Sequence, residues 1–205
     1  DNQRQLERFA HIPPHASYIA GFIDGDGCLF IRKIANGYQS GFVISQSRTN
    51  VLQIIRYYFG GSITSSARRN DKTNNNSFHK GTIRNQYNLY IRSNEYQLFM
   101  EYLQHSFIIK ENQYQCICAF HKIANTTKEN AKEKEDLYSA CSKYNKTKQC
   151  IHNVSRLNIE YIAGLFDAEG CFYINQRKRG GFCFCISITQ KNNPWILEEI
   201  AAFLH

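Results

Sequence analysis

Apolar and polar positions along this chain follow two different periods, and the switches between them mark the elements. Small and apolar residues at about 16–25 and 158–168 predict two helices, each stopped by a glycine-rich end. Residues 28–35 and 39–46 alternate with period two and predict a hairpin. Residues 171–178 and 181–189 predict its counterpart, turned at Gly180-Gly181. Residues 50–59 read as a helix ended by Gly60-Gly61, followed by strands at about 62–68 and 82–92 around a polar loop, Asn70 to Lys80. Helices at 94–105, 110–124 and 130–144 come next. Period two also assigns faces. Leu29, Ile31, Phe42 and Ile44 fall on a core face, and Phe172 and Ile174 match the first two. Phe30, Arg32 and Ser45 point the other way, as do Tyr173, Asn175, Arg177, Ser187 and Thr189.

The two hairpins belong to an internal repeat. Residues 18–30 (YIAGFIDGDGCLF) and 161–173 (YIAGLFDAEGCFY) share seven identical positions. The likeness extends to Val43-Ile44-Ser45-Gln46 and Ser187-Ile188-Thr189-Gln190: Gln46 lies 20 residues past Asp26, and Gln190 lies 21 past Glu169. The chain therefore divides into a first repeat (1–145), a basic, polar linker (146–157) and a second repeat (158–205). The second repeat reaches His205 inside a helix that matches 50–59, so the later strands and closing helices have no counterpart in it.

Composition adds a partner. Apolar residues make up 42% of the chain, enough for a real core, and the formal net charge is +8. The distribution of charge is more telling than its sum. Between Gly27 and Asn94, ten bases face a single acid, Asp71. From Cys171 to Leu197, Arg177, Lys178, Arg179 and Lys191 face none. Polar and aromatic residues interleave with these bases, a mix that suits phosphate contacts together with base-edge hydrogen bonds. The other reading is a solvated basic face. The eight cysteines include no C-x-x-C pair, and no histidine sits at zinc-finger spacing. Most lie in apolar runs, where a free thiol behaves as a small hydrophobe. That usage points to an intracellular, reducing compartment. Apolar stretches are short and interrupted, so no membrane partner is expected.

The chemistry sits at the glycine-rich helix ends. Ala20-Gly21 and Ala163-Gly164 put small surfaces on each helix, so that two backbones can approach closely. Packed side by side, the helices bring their C-terminal ends together, and each end delivers a carboxylate, Asp26 from one and Glu169 from the other. Helix-end carbonyls add negative potential. Carboxylates and carbonyls together form a hard oxygen site suited to Mg²⁺, and such a metal can activate water for phosphodiester hydrolysis. One copy of Asp24-Gly25-Asp26-Gly27 alone would read as a turn. Its recurrence before a second basic strand pair favours the site.

Ile19 to Gly27 (IAGFIDGDG) and Ile162 to Gly170 (IAGLFDAEG) resemble the signature of the LAGLIDADG homing endonucleases, with Ile for the first Leu. The resemblance implies an α+β fold with two pseudo-symmetric halves packed through the signature helices, their antiparallel sheets forming a saddle over DNA. It implies a monomer that binds a long double-stranded DNA target and cleaves it with a divalent metal, Mg²⁺ or alternatively Mn²⁺. The last acid of each signature, Asp26 and Glu169, would bind the metal, together with the adjoining positions Gly25 and Ala168. Asp24 and Asp167 would stabilise the helix-to-strand turn. Gln46 and Gln190 would orient active-site water, and Lys110 would lie near the scissile phosphate; the other reading of Lys110 is a surface lysine at a helix start. DNA contacts are expected from Arg32, Asn36, Tyr38, Ser45, Arg48, Arg68, Arg69, Arg84, Asn88 and Tyr90. In the second repeat they are expected from Tyr173, Asn175, Arg177, Arg179, Ser187 and Thr189. The same fold also serves intron RNA maturases and non-cleaving DNA-binding proteins, which keeps intron RNA open as a partner.

Overall fold

A short run of small residues on two helices sets the centre of this structure. The computed structural model describes residues 13–67, 85–92, 96–124, 130–147, 154–177 and 180–205. Helix α1 (Ala16–Asp26) packs along helix α6 (Ile159–Glu169). A Cβ on Gly21 would overlap the Tyr161 carbonyl oxygen, and one on Gly164 would overlap the Tyr18 carbonyl oxygen. Only glycine allows the backbones this near, so the two glycines fix the crossing point of the helices. His15 caps α1 by accepting from the Ser17 amide, and Asn158 caps α6 by accepting from the Tyr161 amide.

Strand β1 (Gly27–Ile34) leaves α1 directly and turns at Ala35-Asn36 into β2 (Gly37–Gln46). Helix α2 (Asn50–Phe59) is followed by β3 (Ser62–Ala67) and β4 (Asn85–Arg92). The four strands form one antiparallel sheet in the order β1-β2-β4-β3. Leu29, Ile31, Phe42, Ile44, Leu89 and Ile91 project from one face and are all buried. Helices α4 (Glu111–Ala124) and α5 (Ala131–Lys146) pack against this sheet. The Cys141 thiol and the Asn145 amide of α5 both donate to the Leu29 carbonyl, which stitches the helix to β1. Phe42 packs edge-on against Phe99 of α3 (Tyr96–Tyr102), with ring centroids 5.2 Å apart.

The expected elements recur with shifted ends. The predicted helix 94–105 is helical over Tyr96–Tyr102, and residues 103–106 form turns. His105 there adopts φ 63°, a left-handed conformation that the helix cannot carry. Helix α5 runs on to Lys146, past the expected start of the linker, where Val154–Arg156 make one 3₁₀ turn. The loop Asn70 to Lys80 lies outside the described residues.

The second repeat provides β5 (Gly170–Gln176) and β6 (Phe182–Ile188), paired antiparallel, and helix α7 (Trp195–Leu204). One expectation fails here. Phe172 and Ile174 were assigned to a core face, but they are 58% and 67% exposed. Phe184 and Ile186 stand opposite them in register and are exposed as well. The alternation is correct, and these four share one face. Among the described residues, no pair of helices covers that face as α4 and α5 cover its counterpart. Burial therefore depends on a covering element as well as on the strand's own pattern.

Candidate active site

The close crossing of α1 and α6 carries their C-terminal ends together. A Cβ on Gly25 would overlap the Ala168 side chain and lie 3.1 Å from Glu169 Cγ. Asp26 ends α1 and Glu169 ends α6, so the expected pair of carboxylates comes from the two repeats. Burial pushes the Asp26 carboxyl up to about 6, the nearby Glu169 charge adds to the rise, and Lys110 opposes it. Gln46, at the end of β2, donates from Nε2 to Asp26 Oδ2. Asp26, Ser45, Gln46, Ser47, Asn85, Gln86 and Ala168 line a polar cleft of about 530 Å³. Asn85 and Gln86 were not anticipated; they enter because β4 pairs with β2 and its first residues flank Gln46.

Lys110 is also brought to this end. Its ammonium donates to the Ile23 carbonyl at 2.8 Å and to the Asp24 carbonyl. Burial lowers its pKa, while the acids around it, Asp24 foremost, work the other way. Asp24 itself corrects an expectation. The turn from α1 into β1 is closed by the Gly27 amide donating to Ile23, whereas the Asp24 carboxylate reaches a segment more than 80 residues away. It accepts from the amides of Ile108, Ile109 and Lys110 at 2.8–3.0 Å and from the Tyr161 hydroxyl at 2.7 Å. Asp167, its counterpart, accepts from the Tyr18 hydroxyl at 2.7 Å. Both tyrosines open the repeated motif, and that identity was the signal by which they could have been found.

Gln190 departs from its counterpart. Its Oε1 accepts from the Asn192 amide at 3.5 Å, so it bonds within its own loop while Gln46 bonds an acid. The neighbouring Thr189 is exposed, and its amide donates to the Glu169 carbonyl.

The open face of the first sheet carries four of the expected contact residues, Arg32, Ser45, Asn88 and Tyr90. Arg32 and Gln39 are cross-strand partners, and both Nε and Nη2 of Arg32 donate to Gln39 Oε1 at 3.0 and 2.6 Å. Gln39 was not among the expected residues. Ser45 donates to Asn88 Oδ1 at 2.6 Å, and Tyr90 lies beneath the Arg92 guanidinium. Asn36 sits in the exposed β1–β2 turn, and Arg48 is exposed after β2. Tyr38 does not share this face. It has the parity of Phe42, its hydroxyl donates to Glu135 of α5, and its ring packs against Tyr138. Counting by two from Phe42 predicts that placement. In the second hairpin, Tyr173, Asn175 and Ser187 share the face opposite Phe172, and Asn175 donates to Cys185. Arg177 is exposed at the hairpin turn. Arg68, Arg69, Arg84 and Arg179 lie outside the described residues.

Among the described residues, no cluster of three His, Cys, Asp or Glu side chains could hold a metal, and no helix is long and apolar enough to cross a membrane.

A family model described as LAGLIDADG endonuclease matches residues 19–96, and one described as LAGLIDADG-like domain matches residues 156–205. Direct comparison with curated protein sequences gives no match. The chain is similar in structure to the LAGLIDADG meganuclease I-AabMI bound to uncleaved DNA, at 16% identity and a TM-score of 0.65, covering 92% of this chain and 72% of that one. It is similar to the LAGLIDADG homing endonuclease I-LtrWI bound to target DNA, at 18% identity and 0.64, covering 92% and 71%. It is also similar to I-GzeII in complex with its DNA target, at 17% identity and 0.62, again covering 92% and 71%. The structural likeness settles the α+β fold, and the sequence matches fall on both signature helices and the strands that follow them. On these grounds the chain belongs to the LAGLIDADG endonuclease family.

Proposed function

We propose that this protein is a site-specific endonuclease that hydrolyses phosphodiester bonds in a long double-stranded DNA target and depends on a divalent metal. One observation carries the reading: Asp26 at the end of α1 stands near enough to Glu169 at the end of α6 to feel its charge, and Asp26 lines a polar cleft with Ser45 and Gln46 of β2 and the first residues of β4. The raised Asp26 carboxyl fits a cation there, because two acids pressed together in a half-buried site gain from a positive partner. Their donors are all oxygen, which favours a hard ion such as Mg²⁺ or Mn²⁺ over zinc. Asp26 and Glu169 would hold it, helped by the carbonyls of Gly25 and Ala168. When bound, it supplies an activated water and charge stabilisation at the phosphate. Gln46 holds the Asp26 carboxylate in place, and Lys110 supplies a fixed cation for the phosphate. Arg32, Ser45, Asn88 and Tyr90 on one sheet, with Tyr173, Asn175 and Ser187 on the other, read the duplex from the open faces.

Three of the similar structures, those of I-AabMI, I-LtrWI and I-GzeII, carry DNA, which supports a duplex partner here. The test is selection of a cleaved site from a randomised duplex pool in Mg²⁺, followed by assay of Asp26→Asn and Glu169→Gln. Both variants should keep duplex binding and lose cleavage by roughly 10³-fold or more. Wild-type cutting by either one would overturn the assignment of the acids, and equal cutting in excess EDTA would overturn the metal.

A further inference from the structure

The signature helices exchange hydrogen bonds as well as backbone contacts. Tyr18 of α1 donates to Asp167 of α6, and Tyr161 of α6 donates to Asp24 of α1. The two bonds are related by the repeat, but their surroundings differ. Asp167 is exposed, while Asp24 is 2% exposed and accepts four bonds. Oδ2 takes the Tyr161 hydroxyl and the amides of Ile108 and Ile109, and Oδ1 takes the amide of Lys110. These amides belong to the three residues immediately before α4, a segment without regular secondary structure. Asp24 thus pins the segment that leads into α4 from a distant part of the chain. Its own carbonyl, with that of Ile23, receives the Lys110 ammonium. Lys110 is therefore held at its backbone and at its tip by the same residue.

We propose that Tyr161 and Asp24 are positioning residues: the hydroxyl from the second repeat fixes the buried carboxylate that fixes where Lys110 sits beside Asp26. This rests on the reading of Lys110 as the cation that faces the scissile phosphate. A buried carboxylate with several donors has one favoured pose, because each bond is strong in a low-dielectric setting and each lost partner is expensive. Deleting the Tyr161 hydroxyl removes one of three donors from Oδ2 and leaves the packing of the ring in place. The consequence falls on the far side of the carboxylate, at Lys110. A residue of one half thereby tunes the active site of the other, and neither its distance in sequence nor its chemistry marks it as part of that site.

The test compares Tyr161→Phe with Tyr18→Phe in the full chain. Labelling of lysine ε-amines by a water-soluble acylating reagent, read by peptide mass spectrometry, reports on Lys110 without metal or DNA. Lys110 should react several-fold faster in Tyr161→Phe than in wild type, and at the wild-type rate in Tyr18→Phe. On the selected duplex with Mg²⁺, the single-turnover rate at saturating protein should fall by about tenfold in Tyr161→Phe, the effect of one lost buried hydrogen bond. Its Kd for the duplex should stay within about twofold of wild type, because no phosphate-contacting cation is removed. A general loss of structure would lower binding and labelling protection at many lysines together. Unchanged Lys110 labelling in Tyr161→Phe overturns the inference whatever the cleavage result. Absence of cleavage by the wild-type chain overturns the endonuclease reading, and the labelling contrast still decides the placement of Lys110.

Discussion

Leu29 and Phe172 occupy matching positions in the two repeats, at the same step of a strand that leaves a signature helix. Leu29 is fully buried under α4 and α5, and Phe172 is 58% exposed. Both strands obey the same alternation, so the pattern alone does not separate them. The first sheet has four strands and two helices packed on its apolar face, and the described second sheet has two strands. The comparison shows which properties belong to a strand and which to its neighbours. A strand's own sequence decides which side is apolar, whereas depth of burial is conferred by whatever packs there. The open faces behave differently: Arg32 and Tyr173 both project away from the apolar side, and both are exposed.

The comparison breaks most sharply at the joint between halves. Gly164→Val forces a side chain into the α1 backbone and should cost more than about 4 kcal/mol. Gly180→Ala, in an open turn at φ 85°, should cost only about 1–2 kcal/mol. Urea denaturation gives both values, and hydrogen exchange should show the Gly164 variant losing protection in β5 and β6 before the four-stranded sheet. A similar loss across both sheets would mean that the halves fold as one unit.

The matching strand positions come next. Leu29→Ala should destabilise by about 2–5 kcal/mol, as large-to-small core changes do. Phe172→Ala should cost within about 1 kcal/mol, because the ring is largely exposed and gives up its ring contacts with Phe166 and Phe184. Equal losses in thermal melts would show that the second sheet is covered in solution.

Stability should also depend on pH through Asp26. Burial and the nearby Glu169 charge push its carboxyl up to about 6. A folded pKa above the unfolded value means that folding takes up a proton between about pH 4 and 6. Stability of the metal-free protein from this group is therefore present at low pH and lost as pH rises through about 6. Divalent cation binding runs the other way, weakening by roughly tenfold for each unit below about 6. Titration calorimetry with Mn²⁺ from pH 5 to 7.5 measures it. Asp26→Asn should flatten the stability profile across this window, and a profile unchanged by that variant would move the proton elsewhere.

The smallest effect is on DNA. Arg32→Ala should weaken duplex binding by about 1 kcal/mol and make the log-log salt slope shallower by about one. Asn175→Ala should leave the slope unchanged. Fluorescence anisotropy at several salt concentrations separates the two.

Much of this was legible in the sequence because the motif is local and doubled. Identity between residues 18–30 and 161–173 located both helices, both carboxylates and both hairpins. Period two placed Ser45 and Arg32 on the open face. Tyr38 was expected to contact DNA, although counting from Phe42 sends it to the covered side, where α5 meets it. The Asp24 clamp was out of reach for a different reason. Its donors are backbone amides, which every sequence has, and they arrive from 84–86 residues away. Gln190 illustrates the same limit, since its matching position could not reveal that it would bond within its own loop.

Recombining halves from different chains puts the crossed tyrosine–aspartate joint to another use. Each signature helix carries one hydroxyl and, six residues later, one carboxylate, and each serves the opposite helix. The joint is self-complementary, so a foreign half bearing the same two residues and the crossing glycine keeps both hydrogen bonds and the close approach. A second half that lacks the tyrosine leaves the buried Asp24 one donor short, whereas the exposed Asp167 can turn to water. Four side chains thus act as a compatibility test that any transplanted half must pass before its choice of DNA sequence matters.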